Sequence, residues 1–143
     1  MSDTAGQLLE ELERLVERLV SSGATAAELT PTQRRLLRHV ADSGPIRLNV
    51  LAERTGVTCS TASRCVDALH GQGLVERLVD PDDRRALNLL PTPAGTELVR
   101  RRREELGREL TRGLAALPAT DADVLVAALR RLTDALDPER VPA

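Results

Sequence analysis

Residues 48–91 restrict the fold of this 143-residue sequence more than any other segment. They begin with a compact helix pattern over 48–55, and Gly56 follows where the chain needs a residue that tolerates a positive φ. A hydroxyl-rich helix pattern then covers 58–70, and a hairpin pattern with a charged tip ends the segment. This order of helix, glycine turn, helix and hairpin predicts a winged helix-turn-helix.

Helix patterns also lie on both sides of this segment. An amphipathic pattern covers 8–20, and a capping box of Thr30 and Gln33 with Pro31 between them starts a helix that runs to about Ser43. The other predicted elements are a short strand at 46–47, wing strands at 74–79 and 86–90, a long helix from Thr92 and Pro93 to about Leu117, and a last helix from Thr120. The expected class is therefore mainly α with a small β-wing, in the order α-α-(β)-α-α-β-β-α-α.

Composition narrows the function classes. The chain lacks Phe, Tyr and Trp, so it offers none of these rings for an RNA base to stack on, and all of its 20 basic residues are Arg. Its net charge is −2, yet residues 31–92 hold 9 Arg against 7 acidic residues, a mildly basic middle. No apolar run is long enough for a membrane span and no signal peptide is recognisable, so a cytoplasmic location is expected.

The helix over 58–70 has the polarity of a DNA-reading helix. On a helical wheel Ala62, Val66 and Leu69 form one buried stripe, and the opposite side carries small polar residues with one arginine. Arg can bind guanine with two hydrogen bonds, while Ser and Thr can contact phosphates or base edges. An ordinary solvated face is the alternative. The predicted reading residues are Thr58, Ser60, Thr61, Ser63 and Arg64.

The hairpin tip is the second candidate DNA contact. If Asp83 holds the guanidinium of Arg85, that side chain extends toward a minor groove, whose negative potential favours an inserted arginine. Arg84 would then contact the phosphate wall. The alternative is a surface cluster of ion pairs, which contributes little. The tip reads Asp80-Pro81-Asp82-Asp83-Arg84-Arg85.

Other chemistries find less support in the sequence. Cys59 and Cys65 are separated by about 9 Å of helix rise, too far for a disulfide, so they are either small buried hydrophobes or redox-sensitive thiols beside the reading face. His39 and His70 lack partners at metal-ligand spacing, and no phosphate loop, nucleophile elbow or paired carboxylate is present. We therefore expect no metal, no cofactor and no enzymatic activity.

Residues 29–112 resemble the MarR (multiple antibiotic resistance regulator) family. The resemblance implies an obligate homodimer whose first and last two helices intertwine, with 1–30 and 93–143 as the dimerisation region and 31–92 as the DNA-binding region. It also implies that Thr61, Ser63 and Arg64 lie near DNA, and it matches Asp83 and Arg85 to the family's wing motif. The matching segments are 29–33, 51–57, 61–69, 73–77 and 80–86.

The resemblance implies a sequence-specific regulator of transcription. Such a protein would act as a repressor that binds a palindromic operator as a homodimer and is released by an unknown effector. Two alternatives stay open: a winged-helix module for protein or RNA contact, and a regulator that senses oxidants through Cys59 or Cys65. The expected partners are double-stranded DNA, a second copy of the chain and a small-molecule effector.

Two features depart from simple expectations. Pro91 occupies a position where the family usually has an apolar residue, so the second wing strand is predicted to end early. The run at 100–103 consists of four arginines, which point in different directions around a helix and so cannot form one basic patch. The run lies next to Glu97, Glu104 and Glu105. Ion pairing within the helix and between helices of the dimer region is the favoured interpretation, and a phosphate contact or an acidic effector site is the alternative.

Overall fold

The computed structural model describes residues 3–21 and 29–136, and its order of elements is the predicted one. Residues 1–104 and 105–143 form separate compact units, which are described one at a time. The division into a dimerisation region and a DNA-binding region concerns function and stays a prediction. The elements are α1 (Asp3–Ser21), α2 (Pro31–Ser43), β1 (Ile46–Arg47), α3 (Leu48–Thr55), α4 (Cys59–Gly71), β2 (Val75–Val79), β3 (Leu87–Pro91), α5 (Pro93–Leu114) and α6 (Ala119–Ala135).

The start of α2 confirms the predicted capping box. The Thr30 hydroxyl accepts a hydrogen bond from the Gln33 backbone at 3.2 Å, and the Gln33 side chain accepts one from the Thr30 backbone at 2.9 Å. Pro31 occupies the first turn, where a missing N–H costs nothing. The helix ends at Ser43, since Gly44 turns the chain away with φ 68°.

The core of the first unit packs the helices of the helix-turn-helix against α2 and the sheet. Gly56 ends α3 in the left-handed conformation, as predicted, and Thr58 caps α4. The predicted stripe on α4 is buried, which confirms the helical-wheel assignment. Fully buried side chains come from α2 (Leu36, Leu37, Val40), α3 (Leu51), α4 (Ala62, Val66, Leu69) and β2 (Val75).

The sheet is antiparallel in the order β1-β3-β2, and it corrects the expectation for Pro91. Strand β3 extends through Pro91, which lies opposite Val75. The next pair makes a ladder hydrogen bond from the Thr92 N–H to the Leu74 carbonyl at 3.1 Å. Because antiparallel pairs alternate between bonded and non-bonded positions, Pro91 stands where no N–H toward β2 is needed.

The boundaries of the last helices differ from the predictions by a few residues. Helix α5 ends at Leu114 and not near Leu117, and α6 begins at Ala119 and not at Thr120. The N–H of Leu117 bonds the Leu114 carbonyl, which is a tightened turn. Since Pro118 disfavours helical geometry in the residue before it, the final turn of the predicted helix gives way to this tighter turn.

Candidate nucleic-acid interface

The N-terminus of α4 carries a cluster of hydroxyl groups. The Thr58 hydroxyl accepts a hydrogen bond from the Thr61 backbone at 3.2 Å, and it also contacts the hydroxyls of Ser60 at 3.1 Å and Thr61 at 2.9 Å. All three residues are exposed, whereas Ser63 is half-buried. Thr58 therefore serves the helix as its cap, and Ser60 and Thr61 present their hydroxyls at the end that usually contacts base edges.

Three exposed arginines lie on the predicted DNA-contacting parts, the helix α4 and the tip of the wing. Arg64 lies on α4, and Arg84 and Arg85 lie at the hairpin tip. Within residues 3–21 and 29–136, their guanidinium groups make no ion pair or hydrogen bond with another residue. They are thus available to phosphates or guanine edges without first losing a protein partner.

Hydrogen bonds between near neighbours order the tip of the wing and correct one prediction. Asp83 does not hold the guanidinium of Arg85; its carboxylate accepts the Arg85 backbone N–H at 3.0 Å. The Ala86 N–H in turn donates to the Asp83 carbonyl at 2.9 Å. Aspartate commonly bonds its own backbone two residues on, and this turn leaves the Arg85 side chain free to extend.

Asp80, at the base of the tip, forms an ion pair that was not predicted. Its Oδ2 accepts from Arg47 Nη2 at 2.7 Å, and its Oδ1 accepts the Asp82 backbone N–H at 2.9 Å. The hydrogen bond from Arg47 is the main reason why the pKa of Asp80 lies below its ordinary value. The residue is only 7% exposed, so its charge stays paired.

Two further contacts connect the wing to α4. Arg77 on β2 forms an ion pair with Asp67 on α4. His70 Nδ1 lies 2.9 Å from the Val75 carbonyl, at the start of the same strand. The reading helix and the inner part of the hairpin are therefore tied together by side chains as well as by the core.

Known proteins are similar to this chain in sequence and in fold. The family model described as the MarR family matches residues 29–87. The chain belongs to the MarR family. MarR proteins are DNA-binding transcriptional regulators and not enzymes, as the sequence predicted.

Individual relatives and solved structures are moderately similar to this chain in sequence. An uncharacterised HTH-type regulator of Bacillus subtilis, YcgE, is 28% identical over 70% of this chain and 65% of its own. The multiple antibiotic resistance protein MarR of Salmonella typhimurium is 28% identical over 78% of this chain and 80% of its own. The crystal structure of RV1404 from Mycobacterium tuberculosis is 31% identical, covers 96% of this chain and 95% of its own, and has a TM-score of 0.85.

The cysteines of this MarR protein lie in different surroundings. Cys59 is exposed at the first turn of α4, and Cys65 is half-buried against the core. Both thiols are free. The position of Cys65 fits a small packing residue, and thiol-based sensing stays a prediction.

Two arginines of the run on α5 form ion pairs within their own helix, which confirms the intrahelical part of the favoured interpretation. Arg100 bonds Glu97 and Glu104, and Arg101 also bonds Glu97. These bonds, the one from Arg100 above all, lower the pKa of Glu97 to about 2. Arg102 donates to the Leu19 carbonyl on α1 at 2.6 Å. Arg100, Arg101 and Arg102 are therefore engaged in helix contacts within the described part of the chain.

Neither described segment, 3–21 or 29–136, holds a cluster of three or more His, Cys, Asp or Glu side chains that could bind a metal ion. The helices of these segments also include none with the length and apolar character of a membrane span.

Proposed function

We propose that this MarR protein represses transcription as a homodimer that binds a palindromic operator in the cytoplasm, with one winged helix-turn-helix on each half-site. The observation that carries the proposal is the pairing of a hydroxyl-rich helix terminus with an ordered, arginine-tipped wing. Both carry guanidinium groups without a protein partner among the described residues. These two points are the parts of a winged helix that usually contact DNA.

Helix α4 is proposed to read the major groove. Ser60 and Thr61 stand at its N-terminal end, where backbone N–H groups also favour phosphate. Arg64 follows one helical turn later and can bind the O6 and N7 of a guanine. Since Thr58 is occupied as the cap, we assign it a supporting role.

The wing is proposed to enter the adjacent minor groove. Asp83 orders the backbone around Arg85 and leaves the guanidinium unbound, so the side chain can extend into a narrow groove at little cost. Arg84, its exposed neighbour, is proposed to contact the phosphate wall.

The terminal helices support a homodimer. Val16 on α1 is 56% exposed, and Val124 and Leu136 near the two ends of α6 are 64% and 72% exposed. No residue of α6 is buried within the chain. Apolar helix faces of this kind are typical of an interface, and the family resemblance makes a second copy the expected partner. A two-fold dimer would set the reading helices about 34–36 Å apart, one turn of DNA.

An effector that lowers operator affinity completes the proposal. It would act by changing the spacing of the two reading helices, and its support is the family resemblance alone. The chain contains no Phe, Tyr or Trp, so an aromatic effector would find none of these rings to stack on.

The test compares binding to the DNA upstream of the protein's own gene with binding to random duplex at fixed salt. We expect a clear preference for an inverted repeat, and Arg85→Ala should weaken that binding by about 1–3 kcal/mol, or roughly 5- to 150-fold. Arg38→Ala, which removes an exposed arginine of α2, is the charge-matched control. Equal binding to random duplex, or a stable monomer in sedimentation, would contradict the proposal.

A further inference from the structure

We infer that Arg47 and Asp80 are a positioning pair that sets the angle of the wing relative to the helix-turn-helix and thereby controls the minor-groove half of DNA binding. The inference rests on the proposed function, because its main readout is operator binding. Neither residue needs to touch DNA for this role. The pair acts through the tip that carries Arg84 and Arg85.

Asp80 bonds two parts of the hairpin and one residue outside it. Its backbone N–H donates to the Ala86 carbonyl at 2.9 Å, the last bond across the hairpin before the tip. Its Oδ1 accepts the Asp82 N–H at 2.9 Å and so orders the first turn of the tip. Its Oδ2 accepts from Arg47. Moving this carboxylate would therefore move the whole tip.

Arg47 connects the same carboxylate to the helix-turn-helix. It is the last residue of β1 and stands directly before α3, the first helix of the motif. Strand β1 pairs with β3 only through Ile46 with Leu89 and Arg47 with Asn88. The backbone link therefore ends at Asn88, while Asp80 lies level with Ala86, two residues nearer the tip. The Arg47 side chain spans this gap.

The other side-chain contacts of the wing lie farther from the tip. Arg77, which pairs with Asp67, is level with Leu89, and the His70 contact is at Val75, the first residue of β2. Among the described residues, the Arg47–Asp80 pair is thus the outermost ion pair between the wing and the rest of the winged helix. With the pair broken, the hairpin beyond Asn88 would be free to bend.

The variant Asp80→Asn tests this role, because its charge effect and its positioning effect have opposite signs. Loss of one negative charge near DNA should tighten binding if charge alone matters. An Asn side-chain oxygen can still accept the Asp82 N–H, so the turn survives while the ion pair is lost. We expect operator binding to weaken roughly tenfold. The matched control is Asp82→Asn, an exposed neighbour with the same change in charge, which should bind as tightly as wild type or more tightly.

Footprinting separates positioning from general damage. In Asp80→Asn, hydroxyl-radical protection of the minor groove should be lost while methylation protection of guanine N7 in the major groove is kept. Arg47→Gln should reproduce this pattern, and the double variant should be no worse than either single change, since the two residues act as one unit. Arg47→Lys should restore part of the affinity. If Arg47 only contacts phosphate, Arg47→Gln should instead show a salt dependence of binding that is lower by about one charge. Asp80→Asn should then bind the operator unimpaired.

A measurement without DNA distinguishes failure of this inference from failure of the proposed function. Amide hydrogen exchange at Asp80 and Ala86 should accelerate in Asp80→Asn and stay unchanged in Asp82→Asn. Equal exchange in the two variants, or equal operator affinity, would overturn the positioning pair. If the two variants show the exchange difference but the wild-type protein prefers no operator, the proposed function is overturned and, with it, the DNA-binding role of the pair.

Discussion

Gly95, in the first turn of α5, should be the least replaceable glycine of the described winged helix. A Cβ at this position would lie 2.1 Å from the Leu74 carbonyl oxygen, 3.0 Å from its carbon and 3.3 Å from Leu37 Cδ1. Carbon and oxygen atoms normally stay about 3.3 Å or more apart, so the two backbones would have to separate by roughly 1 Å. We therefore expect Gly95→Ala to destabilise the fold strongly.

The surrounding hydrogen bonds limit how far the chain can give way. The Leu74 carbonyl accepts from the Thr92 backbone at 3.1 Å, and the Thr92 hydroxyl donates to the Gly73 carbonyl at 2.6 Å. The Gly95 N–H donates to the same hydroxyl at 3.0 Å. Overpacking should cost about 2–3 kcal/mol, and strain in the hydrogen bond to the Leu74 carbonyl should cost about 1 kcal/mol. The higher helix preference of Ala should offset about 1 kcal/mol. The expected loss in the free energy of unfolding is about 2–3 kcal/mol.

Urea unfolding followed by circular dichroism measures this loss, and the lack of Tyr and Trp rules out intrinsic fluorescence as the probe. Protein concentration must be held constant, because a dimer's apparent stability depends on it. The control is Gly71→Ala at the end of α4, where an added Cβ meets nothing within 4 Å. It should be neutral or up to about 1 kcal/mol more stable. Equal stability of the two variants would refute the argument from close approach.

Two further predictions concern the cap of α4 and the wing. Thr58→Ala should lower the free energy of unfolding by about 1 kcal/mol because the Thr61 N–H loses its acceptor, whereas Thr58→Ser should not; a thermal melt in which Ala and Ser behave alike would contradict this. Arg47 holds the pKa of Asp80 below its usual 3.8, so the stabilisation is complete above that pH and is lost as the pH falls through the lower folded-state pKa. The stability difference between wild type and Asp80→Asn should thus stay constant from pH 7 to 5 and shrink in stronger acid, and a difference that instead grows on acidification would count against the ion pair.

The features that the sequence predicted well depend on neighbouring residues. The capping box of Thr30 and Gln33 involves a single turn, and the positive φ of Gly56 is a property of that residue in its turn. The buried stripe of α4 repeats with the helix period. Helix ends were less predictable: residues 115–117 could continue α5 or form a tighter turn, and the two outcomes differ by very few hydrogen bonds.

The two aspartates of the wing show why part of the site could not be predicted. Asp83 lies two residues from Arg85, and proximity in sequence suggested that its carboxylate would bind the arginine side chain. A backbone N–H at that distance is a better partner, because it is held in place by the turn while a guanidinium must give up side-chain freedom to pair.

Asp80 pairs with an arginine 33 residues away, which only the register of β1, β3 and β2 brings near. A contact of that kind is a product of the sheet, so it becomes visible only after three strands are aligned. Strand β1 pairs with the hairpin at only two positions, Ile46 with Leu89 and Arg47 with Asn88. The ion pair between Arg47 and Asp80 extends this link beyond the end of the backbone ladder, so the tip of the hairpin can be held at a defined angle.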